Sequence, residues 1–547
     1  VQQRGIDWNF GDLLDAVAQV VPGARPALVH GARCIDWAAF TQRTNNLARA
    51  LSSAGAAPGD KIGFYMRNQP AYVESIAAAF KARLTHVNVN YRYVDDELVY
   101  LLDNADAVAV VYAREFASRV AAIRPRLPGV RLWIEVADDT GGRAISRDAA
   151  VQDYETLVET GAGQPLELTR SGDDLLFLYT GGTTGMPKGV MWRQDDLWRV
   201  MGAGGNPRLG IPPATDLAEH VARTVADAPP VTLPLPPLMH GTGLLAAVGA
   251  MVRGGTCITL TGRSFDPEEA LVAIEQHRVT HVTLVGDAFA APLVKALDAA
   301  PGRHDFSSVR FINSSGVMWT RAVKAGLLRH NDALMLADAF SSSEAIGLGA
   351  SVMTRDQSVE VAKFALGPSC KVFTEDFREV VPGSGETGMV AVSGYLPVGY
   401  YKDPEKTART FPVIDGVRYS VPGDWVRVEA DGSLTLLGRG SNCINTAGEK
   451  VYPEEVEEAL KHHPDVVDAL VVGLPDEKWG QSITAVVQLV PGVALDESSL
   501  RTFVQGRIAG YKVPKRLFAR DDLERAPNGK ANYALIRDYA AALVAAG

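Results

Sequence analysis

The chain has 547 residues, of which 47% are hydrophobic and 22% charged, a composition with enough apolar matter for more than one core. Its formal net charge of −10 argues against a nucleic-acid binder, whose footprint is a basic patch, but leaves room for a local cationic pocket. Four widely spaced cysteines without CxxC or Cys/His spacing make a disulfide framework or zinc site a poor reading and favour a reducing compartment.

Val1–Trp8 carries no apolar signal core, and the longest apolar stretch, near Leu244–Val252, is too short to span a bilayer; the expectation is a cytoplasmic protein without a transmembrane segment. Phe40–Ala54 places Leu47 and Leu51 one helical turn apart, and Ala71–Ala82 reads as a second helix. Thr85–Val89 and Ala107–Tyr112 are β-rich runs, and the alternation predicts α/β layers with mixed, largely parallel sheets. Asp138–Arg147 reads as a surface loop, and no internal repeat or low-complexity tract interrupts the chain.

The strand Asp174–Leu178 runs into Tyr179-Thr-Gly-Gly-Thr-Thr-Gly-Met-Pro-Lys-Gly-Val190. Glycines at 181, 182, 185 and 189 let backbone N–H groups approach phosphate oxygens, Thr180, Thr183 and Thr184 add hydroxyl donors, and Lys188 adds a point charge. This is not a Walker A loop, because Lys188 is followed by glycine rather than Ser or Thr. The alternative is a glycine-rich turn between strands, but the full string is the donor set a triphosphate requires.

Further on, Ser433–Leu437 reads as a short strand and Gly438–Asn445 as a boundary. Beyond it come a helix over Pro453–His462, strands over Val466–Gly473 and Ile483–Leu489, and a helix over Glu497–Ile508. Pro453 suits a first helical position, and the following glutamates suit a positive helix N-terminus. The predicted plan is a large N-terminal body of several subdomains, 1–439, and a small mobile α+β C-terminal domain, 440–547.

The string Tyr179–Val190 resembles the signature loop of the adenylate-forming superfamily, which includes acyl-CoA synthetases, peptide-synthetase adenylation domains and firefly luciferase. The resemblance covers roughly residues 10–540, because other motifs follow in order. Pro236–Gly243 is similar to the motif whose histidine, here His240, gates the acyl pocket; read alone, His240 is a core histidine. Asp338-Ala-Phe-Ser-Ser-Ser-Glu344 resembles the segment in which Phe340 stacks on adenine, Ser343 reaches the α-phosphate and Glu344 holds Mg²⁺. It departs from the usual pattern with Phe for Tyr and Ser for both Gly and Thr; read alone, it is a helix cap. Tyr419–Trp425 resembles the motif whose aspartate, Asp424, binds the ribose hydroxyls, with Pro422 where Thr is commoner. Leu437–Ile444 matches the interdomain segment, which implies a nucleotide contact for Arg439 and a hinge at Ser441. Gly448–Pro453 resembles the stretch that lines the CoA channel, and Leu523–Lys530 the segment carrying the adenylation lysine, Lys530. The cations of Tyr511–Arg516 read either as CoA-phosphate contacts or as a solvated basic edge.

The resemblance implies an AMP-forming acyl-CoA synthetase using ATP, Mg²⁺ and coenzyme A on a hydrophobic carboxylic acid. It is nearest to bacterial enzymes of fatty-acid and steroid side-chain metabolism. The catalytic set is then Lys530, His240, Thr184 and Glu344, with Thr180, Gly181, Gly182, Thr183, Gly185, Lys188, Phe340, Ser343, Asp424, Arg439 and Gly448 binding ATP or CoA. Acid-pocket residues implied are Leu244, Val285–Phe289 and Ser314–Trp319, with Asp287 either touching the acid or capping a helix. The rival readings are an amino- or aryl-acid adenylating enzyme, a luciferase-like oxygenase, and a nucleotide-binding relative without catalysis. A monomer and a homodimer both fit the sequence.

Overall fold

The structure is a computed structural model, and it describes residues 7–137, 150–180, 186–205, 211–316, 321–356, 363–439, 444–446, 449–451, 453–524 and 533–546. The predicted loop at Asp138–Arg147 and hinge at Ser441 lie outside them, as do Gly181, Gly182, Thr183, Thr184, Gly185, Gly448 and Lys530. The fold is mixed α/β, a large body with several sheets and a small C-terminal domain. By contact it divides into two units, one of Val1–Tyr91, Leu102–Leu178 and Gly189–Leu437, the other of Arg92–Leu101, Tyr179–Lys188 and Gly438–Gly547.

In the first unit, one sheet of eight strands contains Lys61–Tyr65, Thr85–Asn88, Ala107–Ala113 and Leu132–Val136, paired in parallel. Leu175–Thr180 joins it beside Thr85–Asn88, with Leu176 opposite His86. These strands are nearly continuous apolar runs because helices cover both faces of a parallel sheet. Helix Pro70–Lys81 is buried along its whole length and starts with a proline at its first turn. Its alanines at 71 and 77–79 let it pack closely, and Phe80 and Tyr72 join Phe10, Phe64 and Trp198 in one core. Each such side chain, fully buried, contributes about 1.5–3 kcal/mol.

A second sheet runs in parallel through Val231–Pro234, His281–Leu284, Phe311–Ser315 and Met335–Phe340. Its direction then changes, since Gly349–Met353 pairs antiparallel with Met335–Phe340. The residues between these two strands include Ser343 and Glu344, placed at the carboxyl end of a parallel strand, where open α/β sheets present their ligand-binding residues.

In the second unit, Val466–Asp476 and Gly480–Leu489 form a long antiparallel hairpin. Asp476 Oδ1 accepts from the amides of Lys478 and Trp479, and Gly480 takes a φ of 75°, so the turn is closed by its own residues. Side chains alternate between faces: Val471 and Ile483 pack with Val456, Leu460 and Val504, while Leu470, Val472 and Val486 pack with Ile536 and Ala540. Helices Pro453–Lys461 and Glu497–Gln505 therefore cover one face and Tyr533–Ala546 the other. Glu457, expected to complement a helix N-terminus, instead points inward and accepts from the Val471 amide at 2.9 Å.

Candidate active site

Thr180 ends the strand Leu175–Thr180 and Lys188 starts the strand Lys188–Arg193, both half-buried. The glycine and threonine positions between them lie outside the described residues.

His240 caps the helix Gly241–Met251 in extended conformation and is half-buried rather than in the core. The turn before it is fixed from two sides. Asn68 accepts from the Leu238 amide at 2.7 Å and donates to the Pro236 carbonyl at 3.1 Å, and Asn88 donates to the Met239 carbonyl at 2.7 Å. Gly243 is required here, because a Cβ would stand 2.7 Å from the Pro237 carbonyl oxygen. Neither asparagine stands out in the sequence; Asn68 precedes the helix Pro70–Lys81 and Asn88 ends the strand Thr85–Asn88, both far along the chain from the motif they hold.

Phe340 is buried at the end of its strand, its ring 5.2 Å from that of Phe364. Two residues earlier, Asp338 forms a buried ion pair with Lys324 of the helix Arg321–His330. The Ser341–Glu344 run is not a helix cap; it turns on itself through hydrogen bonds between Ser342 and Ala345 and leads into the strand Gly349–Met353. Serine hydroxyls serve turns as readily as caps, and no apolar helical repeat follows them here.

Among the described residues, three donors hold Ser343 and Glu344. Trp192 Nε1 donates to the Ser343 carbonyl at 2.9 Å, Ser420 Oγ to the Glu344 carbonyl at 2.7 Å, and Tyr400 Oη to Glu344 Oε1 at 2.8 Å. Glu344 and Tyr400 are 9% and 5% exposed, so these bonds meet little competition from water. Sequence reasoning missed all three donors, although Gly399–Pro404, a Gly-Tyr-Tyr-Lys-Asp-Pro string between apolar runs, was a usable signal for Tyr400.

Asp424 opens the strand Asp424–Val428 after Gly423, whose φ of 91° demands glycine, and its carboxylate is buried. Arg439 is the last residue of the strand Leu434–Arg439. Asp287 is not the cap of its helix; Gly286 is, and Asp287 stands at the first helical position, where its charge complements the helix dipole. Lys512 is not on a solvated edge. It is buried, with Nζ 2.9 Å from Glu97 and 4.7 Å from the Tyr93 ring centroid. Among the described residues no three His, Cys, Asp or Glu side chains converge on a common metal position. A magnesium ion does not need such a group, since it favours one or two carboxylates together with substrate phosphate oxygens, and a buried carboxylate with one oxygen already oriented fits that demand.

The chain matches the model of the AMP-binding enzyme over residues 14–401 and that of the AMP-binding enzyme C-terminal domain over residues 455–530. It therefore belongs to the AMP-binding enzyme family. A medium/long-chain-fatty-acid–CoA/3-oxocholest-4-en-26-oate–CoA ligase of Mycobacterium marinum is 40% identical, over 96% of this chain and 95% of that protein. A 3-oxocholest-4-en-26-oate–CoA ligase of Rhodococcus rhodochrous is 39% identical, over 97% and 95%. Among solved structures, the amide bond synthetase McbA from Marinactinospora thermotolerans superposes with a TM-score of 0.77 at 24% identity, over 97% of this chain and 99% of that one, a likeness of fold.

Proposed function

We propose that this AMP-forming CoA ligase acts on a large apolar carboxylic acid, a medium- or long-chain fatty acid or the side-chain acid of a steroid. The observation that carries this reading is the identity of about 40%, along nearly the whole length, to ligases bearing those substrates in their names. The mostly apolar or small residues of the segments implied in the acid pocket support it.

A carboxylate resists attack because its charge is shared by two oxygens. In the first step it attacks the α-phosphorus of ATP; a P–O bond forms, pyrophosphate leaves, and a mixed anhydride results. Two anions must approach, and positively charged or N–H donors offset their repulsion. Thr180, Thr183 and Thr184, the backbone at Gly181, Gly182 and Gly185, and Lys188 hold the phosphates, while Lys530 stabilises the charge that develops. Phe340 packs on adenine, Ser343 reaches the α-phosphate, Asp424 accepts from the ribose hydroxyls and Arg439 contacts the nucleotide. Glu344 holds Mg²⁺, which when bound neutralises phosphate charge. In the second step the CoA thiol attacks the acyl carbonyl and AMP leaves, with His240 gating the pocket and Gly448 lining the thiol channel. The division of labour assigns residues 1–439 to substrate binding and residues 440–547 to a lid that pivots near Ser441.

The test is acid-dependent pyrophosphate exchange followed by a CoA-thioester assay across short, medium, long, aromatic, amino and steroid acids. The expected result is turnover of medium- or long-chain fatty acids or of steroid side-chain acids, and little with short, aromatic or amino acids. Preference for amino or aryl acids would overturn the substrate reading, and exchange without thioester would overturn the CoA step.

A further inference from the structure

We propose that Tyr400 is a positioning residue for acid activation: its phenol holds the Glu344 carboxylate in the one orientation that serves a divalent cation. The inference rests on the reading of Glu344 as the cation-binding carboxylate and goes beyond it by naming what aims that carboxylate. Of the three donors that the described residues supply to Ser343–Glu344, Trp192 and Ser420 reach backbone carbonyls, whereas Tyr400 Oη touches the side chain, at 2.8 Å from Oε1.

Tyr400 is itself firmly held. It lies in the short strand Gly399–Tyr400, opposite Val190 of Lys188–Arg193, the strand that also carries Trp192. Its amide donates to Thr407 Oγ1 at 2.9 Å, and its ring packs against Phe411 at 6.0 Å. Gly399 is needed at its φ of 154°, because a Cβ there would stand 2.4 Å from Thr407 Cγ2. Lys406 Nζ sits 4.5 Å from the centre of the Tyr400 ring. An ammonium over the ring draws on its electron density and makes the phenol a stronger donor.

The choice of a phenol has a physical reason. A hydroxyl occupies one of about four acceptor positions on a carboxylate and leaves its negative charge in place. An ammonium in the same position would neutralise the charge that attracts the cation. Removing a group that orients a metal ligand typically costs about 10–100-fold in metal affinity.

The experiment compares the full chain with Tyr400→Phe, Lys406→Met and Glu344→Gln. Mn²⁺ binding to each protein in the presence of a non-hydrolysable ATP analogue is followed by electron paramagnetic resonance, beside thermal melts and the Mg²⁺ dependence of pyrophosphate exchange. Tyr400→Phe is expected to weaken Mn²⁺ binding about 10–100-fold. The half-saturating Mg²⁺ concentration should rise in step, with the KM for the acid unchanged. Lys406→Met, which leaves the phenol in place and keeps the test available should Tyr400→Phe fail to fold, is expected to weaken binding about 2–5-fold. In a Glu344→Gln background, Tyr400→Phe should add nothing. If Glu344→Gln binds Mn²⁺ poorly while Tyr400→Phe and Lys406→Met bind it like the unaltered chain, the role of Tyr400 is overturned. If Glu344→Gln binds Mn²⁺ normally, the assignment of Glu344 falls instead, a separate and recognisable result.

Discussion

Two buried glutamates in this chain are held by different kinds of donor. Glu344, in the body, accepts from the neutral phenol of Tyr400, and Glu97, in the second unit, faces the ammonium of Lys512 at 2.9 Å. The second pair is surrounded by like arrangements: Glu97 Oε2 also accepts from the Val94 amide at 3.0 Å, Arg92 pairs with Glu449 at 2.9 Å, and Arg92 lies over the Tyr511 ring. An ion pair with both partners about 3% exposed consumes its charges in holding the unit together. A carboxylate fixed by a hydroxyl keeps its charge and loses only its freedom to turn. On the role proposed for Glu344, the donor type separates a residue that builds structure from one that would receive a ligand.

That contrast can be broken at several points. The largest effect is expected on the catalytic side, where Lys530→Ala should slow adenylation by roughly 10²–10³, the scale for one preorganised donor. Thioester formation from supplied acyl-adenylate should be spared; equal losses in both single-turnover half-reactions would remove Lys530 from the first step. On the structural side, Lys512→Met leaves a buried carboxylate without its ion-pair partner and should lower stability by about 3–5 kcal/mol in urea titrations. Glu97→Gln together with Lys512→Met should recover much of that loss, and a single-variant cost below about 1 kcal/mol would refute the buried pair.

A third manner of burial sharpens the comparison through pH. His86 stays neutral when folded, because burial between Phe64, Tyr72 and the sheet pushes its imidazole down to about 4. The unfolded chain takes up its proton near pH 6.5 and the folded chain only near 4, so stability should fall as pH drops through that window and level off below it. The loss from His86 is at most roughly 3 kcal/mol, and His281, also pushed down to about 4 by burial, acts in the same direction. His86→Phe should flatten part of the slope; an unchanged slope would show that His86 contributes nothing to it. The smallest effect belongs to exposed pairs. Lys371→Ala removes the partner of Glu379 at 2.6 Å, with both side chains about half exposed, and should leave the melting temperature unmoved.

Much of this architecture was written in local pattern. The predicted helix Phe40–Ala54 is observed as Trp37–Ser53, the helix Ala71–Ala82 as Pro70–Lys81, and the strand Ala107–Tyr112 as Ala107–Ala113. In the C-terminal domain, Val466–Gly473 extends to Val466–Asp476 and Ile483–Leu489 begins earlier, at Gly480, because the hairpin pairs right up to its turn. Ends shift by a few residues since capping and pairing partners, not propensity, set them. What stayed hidden were partners distant in the chain. Tyr400 is 56 residues from Glu344 and Lys512 is 415 from Glu97, and no periodicity links such positions.

The sequence alone determined the alternation of helices and strands, the glycine- and threonine-rich string that follows Leu175–Thr180, and the residue types proposed to handle ATP and an acid. Each depends on spacing along a few turns or strands, where covalent geometry dictates who are neighbours. Tertiary structure alone decided that Lys512 is buried rather than solvated, that Asp287 begins a helix capped by Gly286, and that the Tyr400 phenol donates to Glu344. Those outcomes turn on burial and on hydrogen bonds between remote segments, and only the folded chain brings the partners together.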